Sequence, residues 1–325
     1  MHGGAATLAG QLQERDIKPD ILLTTDMLNL PAFLGLGRRR LGNVPVALYC
    51  HENQLTYPLQ QGEKRDLTYG MINWLSMLAA DRVFFNSQFH LDDWFRALPN
   101  MLKHFPDYNH VPRVPEVRAK SEVLPVGCDL HALDEARSSP SKMDKIPLIL
   151  WNQRWEYDKD PQMFFQALDV LVERNVPFRV ALAGSNVRQQ PEEFEAARER
   201  LGERVIHYGR ADRQTYHRLL WESDVVVSTA RHEFFGIAIV EAIYCRCFPV
   251  LPDRLAYPDV LPSDVHAQCL YQDFEGLISH LTWALKHPNR RNRITPILRE
   301  AVAPLDWSRI APRYDDVMEA VAASR

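Results

Sequence analysis

Two carboxylates separated by seven residues, Glu233 and Glu241, enclose the string Phe-Phe-Gly-Ile-Ala-Ile-Val at a junction that reads strand, loop, helix. Gly236 would let backbone N–H groups come close to a ligand where the helix starts, and the unpaired donors and dipole there suit a phosphate. A carboxylate on the loop can bind sugar hydroxyls. One set two turns into the helix can reach a ribose diol, whose two donors match a bidentate acceptor. On spacing alone, a pair of solvated helix charges fits equally well. A second constellation, Trp151-Asn-Gln-Arg154-Trp-Glu-Tyr-Asp-Lys159-Asp-Pro161, follows a strand and precedes a helix. Two fixed cations at a strand's carboxyl end can neutralise a diphosphate and then stabilise a departing nucleoside diphosphate. That Arg154 and Lys159 share a half of the chain with the two glutamates, at equivalent strand ends, favours a site over scattered surface charge.

The string His51-Glu-Asn-Gln54 ends another apolar strand, VPVALYC. His51 at the carboxyl end of that strand is placed to position a reacting hydroxyl; the alternative is a core histidine satisfied by a backbone carbonyl. Glu52 and Asn53 can bind an acceptor diol, orient His51 or cap the next turn.

The elements that must hold these groups follow from the hydrophobic pattern. AATLAGQLQERDI has helical spacing, Lys18-Pro19-Asp20 breaks it, and ILLTTD is an apolar strand. The grammar repeats: strand VPVALYC, helix DLTYGMINWLSMLAA, strand DRVFFNS, helix QFHLDDWFRAL, strand SEVLPVG. Between residues 99 and 120 the chain is proline-rich without a clean period, which predicts an elaborated loop or broken helix. A charged, Ser/Pro-rich stretch over residues 131–145 predicts an interdomain linker. Beyond it strands PLILWN, FRVALAG, RVIHYG, DVVVSTA and FPVLP alternate with amphipathic helices. Short apolar strands alternating with helices predict parallel α/β sheets. The expected class is α/β, two Rossmann-like doubly wound domains facing a cleft, over residues 1–130 and 146–304, with a C-terminal helix over 305–325 returning to the first. The chain begins on a helix where such a domain usually opens on a strand, so the first domain is expected to lack its opening strand or strands.

Length and composition agree with this reading. The 325 residues are 46% hydrophobic and 25% charged, as in soluble globular domains. A net charge of −4 supplies no global basic field for nucleic acid, so a polyanionic partner needs a local patch. The candidates are Arg38-Arg39-Arg40, then Lys103, Arg113, Arg118 and Lys120, then Arg290, Arg291 and Arg293, with Tyr57, Phe105 or Tyr108 as a stacking platform for a base; plain solvated surface is the commoner use of such runs. Five cysteines without a C-x-x-C pair argue against a disulfide framework or a zinc ribbon. No spanning apolar run or signal-peptide layout is present, which predicts a cytoplasmic protein with no membrane partner.

The string Arg154-x4-Lys159, the Leu182-Ala183-Gly184 turn and Glu233-x7-Glu241 within EFFGIAIVEA resemble the donor site of glycosyltransferase family 4, whose members have the two-Rossmann GT-B fold. The resemblance implies that Arg154 and Lys159 bind the donor diphosphate, Glu233 contacts the transferred sugar and Glu241 the ribose, with Gly184, Phe235, Gly236 and Ile237 completing the donor site. LDWSRIAPRYDDVMEAV resembles the family's last helix, which would place Trp307 and Tyr314 in an interdomain core. The chain departs from the family in carrying Arg246 where Gly is usual. The first half, through TTDMLNLPAFLG, PVALYCHENQLTYP and RVFFNSQFHLDDW, closely resembles the tRNA-queuosine mannosyltransferase group. That implies retaining transfer of mannose from GDP-mannose to the cyclopentenediol of queuosine in tRNA. His51 and Glu233 would be catalytic, and Glu52, Asn53 and Gln54 would meet the acceptor. Although Asp158-Lys159-Asp160 has the form of a metal-dependent transferase motif, the resemblance puts Lys159 where a metal would act, so neither a metal nor a cofactor is expected. The partners would be a nucleotide sugar and tRNA, with no obligate protein partner. The rivals are another family 4 hexosyltransferase acting on a small-molecule or lipid acceptor, and a non-catalytic sugar-nucleotide or tRNA-binding relative.

Overall fold

The computed structural model describes residues 3–60, 62–136, 146–185 and 192–323. The chain divides into two compact units, Met1–Val126 with Ala311–Arg325, and Gly127–Ile310.

In the first unit four parallel strands, β1 (Leu22–Thr25), β2 (Val46–Cys50), β3 (Arg82–Phe85) and β4 (Ser121–Val123), lie in chain order across the sheet. Helices α1 (Gly4–Gln13), α2 (Leu30–Leu41), α3 (Leu67–Ala79), α4 (Gln88–Lys103) and α5 (Val114–Ala119) connect and flank them. Asn29, Asp66 and Ser87 start α2, α3 and α4, each accepting a backbone N–H two or three residues on. Every residue of β2 is buried, and its period of two serves both faces. Val46, Leu48 and Cys50 join a core with Trp74, Phe85 and Trp94, whereas Ala47 and Tyr49 pack with Phe84, Leu124 and Val321 on the other side.

The second unit is a six-stranded parallel sheet in the order β10-β9-β8-β5-β6-β7. Its strands are β5 (Leu148–Trp151), β6 (Arg179–Ala183), β7 (Val205–Gly209), β8 (Val225–Val227), β9 (Phe248–Pro252) and β10 (Leu270–Tyr271). Its helices are α6 (His131–Glu135), α7 (Pro161–Glu173), α8 (Glu192–Leu201), α9 (Arg213–Glu222), α10 (Ile237–Tyr244), α11 (Tyr257–Val260), α12 (His266–Cys269), α13 (Phe274–Lys286) and α14 (Pro288–Val302). The order reverses between β5 and β8, so the segments leaving the carboxyl ends of these neighbouring strands open the crevice where doubly wound sheets bind ligands. Both glutamates and both cations of the sequence motifs lie on those two segments or on the helix that follows.

Three details depart from the sequence reading. Helix α4 runs through Pro99 to Lys103, because Leu98, Met101 and Leu102 are buried and hold the last turn on the core despite the missing N–H. His131–Glu135, expected in a linker, form α6 within the second unit; the rest of that stretch, residues 137–145, lies outside the described residues. The final helix α15 (Trp307–Ala322) carries Tyr314 onto the first unit's sheet, where its hydroxyl donates to the Pro125 carbonyl at 2.9 Å and lies 3.3 Å from the Tyr49 hydroxyl. Trp307 instead is 43% exposed and packs over Gly127 within the second unit, so it is no core residue.

Candidate functional site

The second unit's site begins with a buried cation between two carboxylates. Lys159, on the segment after β5, directs Nζ to the His232 carbonyl at 2.7 Å, Asp158 Oδ2 at 3.1 Å and Glu233 Oε2 at 3.4 Å. Asp158 has no exposed surface, and neither of its oxygens accepts a hydrogen bond among the described residues. The neighbouring ammonium therefore balances a buried negative charge. Asp160 is engaged elsewhere: Oδ1 caps α7 at Met163 N, and Oδ2 pairs with Arg231 at 2.7 Å. Among the described residues no group of three or more His, Cys, Asp and Glu is arranged to hold a metal ion.

Glu233 occupies the place that the sequence reading gave to a phosphate. Its Oε1 accepts from the backbone N–H of Phe234 (3.2 Å), Phe235 (3.4 Å) and Gly236 (3.1 Å), the loop residues that lead into α10 and end on its N-cap. Gly236 makes this wrap possible at φ +88, with Tyr257 3.4 Å from where a Cβ would sit. Lys159 and the backbone N–H groups leading into α10 thus both face the protein's own carboxylate. Phe235 is buried and Ile237 is 45% exposed beside it.

One turn further along α10, Glu241 Oε2 accepts the Tyr216 hydroxyl of α9 at 2.7 Å, and the Tyr216 oxygen in turn accepts Asn152 Nδ2 at 3.1 Å. Burial raises the Glu241 pKa, the nearby Asp129 adds to the rise, and the tyrosine hydrogen bond opposes it. Gly184, at the end of β6, admits no side chain: a Cβ would fall 2.0 Å from the Gln153 carbonyl and 2.8 Å from Trp155 Nε1. Its part is close packing under the β5 segment. Arg154 is exposed, with its guanidinium 3.3 Å from Glu156.

In the first unit, the strand ends of β1 and β2 make a second, separate arrangement. Asp26, only 2% exposed, accepts the backbone N–H of His51 and of Glu52 on Oδ2, both at 3.1 Å, and faces His51 Nδ1 with Oδ1 at 3.3 Å. This hydrogen bond raises the His51 pKa, against the lowering effect of partial burial, and Glu52 adds to the rise. With Nδ1–H given to Asp26, Nε2 is the ring atom left for an acceptor hydroxyl. Glu52 and Gln54 are half-buried and joined side chain to side chain at 3.2 Å. Asn53 corrects its expected role. It has no exposed surface, gives Nδ2 to the buried Asp93 at 2.8 Å and accepts Leu55 N at 2.9 Å, so it holds the turn rather than meeting an acceptor.

Several cations proposed for RNA have partners within the protein, some buried and some at its surface. Arg291 is 3% exposed and pairs with Asp224 at 2.7 Å, and Lys120 caps the carbonyls at the end of α3. Arg113 forks onto Glu116, and Arg118 reaches Asp92 while lying over Phe95. Phe105 packs on the core, whereas Tyr108 is 87% exposed.

Asp26, Asn152 and Tyr216 were not singled out from the sequence, and Asp158 was noted there only as part of a metal-type motif. Asp26 left a signal, an acid directly after an apolar strand, in the same position that His51 holds on the next strand. Tyr216 left none, because nothing in a helix sequence names the neighbour it touches.

Comparison with known proteins gives consistent matches over both units. A family described as "tRNA-queuosine alpha-mannosyltransferase N-terminal" matches residues 1–128, and "Glycosyl transferases group 1" matches residues 134–300. A Drosophila melanogaster protein named tRNA-queuosine alpha-mannosyltransferase is 35% identical over 260 residues, 78% of this chain and 69% of that one. Among solved structures, sucrose-phosphate synthase from Thermosynechococcus elongatus superposes with a TM-score of 0.74 at 18% identity, covering 99% of this chain and 78% of that one. The Anabaena HepE protein in complex with UDP gives 0.69 at 16% identity, covering 97% and 82%. These two likenesses establish the fold, the two-Rossmann GT-B architecture. No helix among the described residues is long and apolar enough to cross a membrane.

Proposed function

Because the chain belongs to the tRNA-queuosine alpha-mannosyltransferase family, we propose that it transfers mannose from GDP-mannose to the cyclopentenediol of queuosine in tRNA, with retention at the sugar. The observation that carries this reading is the match of the first unit, residues 1–128, to that family; the second unit's match alone would leave the acceptor open. In the reaction the bond from mannose C1 to the diphosphate oxygen breaks and a bond from C1 to an acceptor oxygen forms. The proton of the acceptor hydroxyl passes to the leaving diphosphate on the same face.

Each group acts through the chemistry already described. Lys159 and Arg154 neutralise the diphosphate in the ground state and the charge that grows on it as the sugar departs. Lys159 is held in place by Asp158 and by the His232 carbonyl. Glu233 moves from the backbone N–H groups it now covers to the hydroxyls of the transferred sugar. Glu241 accepts the ribose diol. His51, oriented through Nδ1 by Asp26, aligns the acceptor hydroxyl through Nε2.

The test incubates the protein with queuosine-containing tRNA and a panel of GDP- and UDP-sugars, then digests the tRNA and weighs the modified nucleoside. A hexose increment with GDP-mannose, on queuosine-containing tRNA only, is expected. An increment with a UDP-sugar instead overturns the donor; GDP-mannose binding without any increment overturns the acceptor.

A further inference from the structure

The sequence offers no reason to place Tyr216 in the site, yet its hydroxyl is the only hydrogen-bond partner of the Glu241 carboxylate among the described residues. Its orientation is fixed from the opposite side. Asn152, the first residue after β5, gives Nδ2 both to the Tyr216 oxygen at 3.1 Å and to the Ala238 carbonyl at 2.8 Å. Because the phenol oxygen already accepts from Asn152, its own hydrogen is directed at Glu241 Oε2. Three elements, the β5 end, α9 and α10, thus converge to lock one carboxylate oxygen. The other oxygen, Oε1, has no hydrogen bond among the described residues.

We propose that Tyr216 is the positioning residue of the nucleotide subsite, holding the Glu241 carboxylate in one plane so that it accepts both hydroxyls of a ribose diol. The inference rests on the donor-site reading above and adds the residue that makes Glu241 competent. A carboxylate sunk between helices tends to take up a proton, and a protonated one accepts from a diol poorly. The groups facing it are Asp129, which raises its pKa, the thiols of Cys128 and Cys245, kept neutral by burial, and Tyr216, which alone among them favours the anion. With Oε2 engaged by the phenol, one lone pair there and both on Oε1 remain for the two ribose donors.

The experiment compares calorimetric binding of GDP and of 2′,3′-dideoxy-GDP to the wild type and to Tyr216→Phe across pH. The wild type is expected to bind the dideoxy compound roughly 100-fold more weakly, two hydrogen bonds to a charged acceptor being lost. In Tyr216→Phe, GDP binds about tenfold more weakly, discrimination narrows, and the loss of affinity on acidification begins at a higher pH. A residue that merely packs would change neither the discrimination nor the pH profile. Asn152→Ala, which frees the phenol to rotate, moves affinity the same way by a smaller factor and carries the test should the phenylalanine variant not fold. Equal discrimination in the wild type and both variants overturns the role of Tyr216 alone. No discrimination in the wild type overturns the assignment of ribose to Glu241, and this inference with it.

Discussion

The segment that leaves β5 and the segment that leaves β2 look alike in sequence, each an apolar strand running into a short polar string, but the two units use them differently. After β5 the polar groups are driven inward: Lys159 and Asp158 are buried, and Lys159 is locked to a carboxylate and a carbonyl brought by the segment after β8. After β2 the chemistry stays half open, with His51 45% exposed at its side chain, its Nδ1 facing Asp26 at the end of β1 and its ring beside Tyr49. On the proposed reading the segment after β5 meets a highly charged diphosphate, and charges fixed before the ligand arrives are the more effective for it, since a preorganised low-dielectric setting is what strengthens them. On the proposed reading His51 has only to align a hydroxyl, which an oriented ring with an open face can do.

The largest test of that contrast is Lys159→Ala. Loss of the cation is expected to lower kcat for mannosyl transfer by about 100- to 1000-fold. Because Asp158 would be left buried without its counter-charge, stability should also fall by about 3–5 kcal/mol. Adding Asp158→Asn should recover most of the stability and none of the turnover, measured by denaturant unfolding and by the tRNA assay on the same preparations. Recovery of turnover would mean that Lys159 serves the fold and not the diphosphate.

Gly184→Ala tests whether the donor side depends on packing beneath it. The new Cβ would meet the Gln153 carbonyl at 2.0 Å, a backbone atom that cannot swing aside, so the β5 segment must shift. A stability loss of about 2–3 kcal/mol is expected, together with weaker GDP binding in the protein that remains folded. Unchanged melting would show that the segment yields more easily than a close-packed strand end does.

On the acceptor side, Asp26→Asn should act through His51. In the wild type the hydrogen bond to Asp26 raises the His51 pKa, so the ring stays cationic to a higher pH and the acid limb of kcat/KM lies correspondingly high. The amide variant should move that limb to lower pH and reduce turnover at the plateau by about tenfold. The sign for stability is equally definite. A histidine whose folded pKa exceeds its unfolded one contributes fully below the unfolded value and loses that contribution as pH rises through the folded value, so Asp26→Asn should cost most on the acid side. An acid limb that does not move would break the pairing.

Much of the fold was legible because buried parallel strands leave continuous apolar runs, and β2, β5 and β9 fall where those runs do. The order of the strands was not, since the reversal between β5 and β8 depends on which crossover packs on which face. Within the site, residues whose chemistry is local were readable: Glu233 and Gly236 at a helix start, Lys159 after a strand. Those defined by a neighbour were not. Asn53 looked like its exposed companions until Asp93, forty residues on, was seen to enclose it. Asp26 and Tyr216 gain their roles only through β1–β2 pairing and the meeting of α9 with α10.

The smallest effect concerns the far end of α10, where the chain departs from the family pattern. Arg246 stands at φ +67, exposed, with its N–H on the Ile243 carbonyl and the next N–H, of Cys247, on the Ala242 carbonyl, both at 2.9 Å. This is the left-handed closure at which glycine is usual, and a residue with a Cβ there costs about 1–2 kcal/mol. Arg246→Gly removes that strain but gives the unfolded chain more freedom, about 0.4–1 kcal/mol in the opposite direction. The net gain should be about 0.5–1 kcal/mol, read as a rise in Tm of about 1–4 °C. Turnover should stay within about twofold, because the carboxylates proposed to act lie before the helix and along its middle, while Arg246 lies beyond its last turn. A variant that melts higher yet loses turnover would show that the arginine cation, and not only the backbone it bends, belongs to the donor side of the molecule.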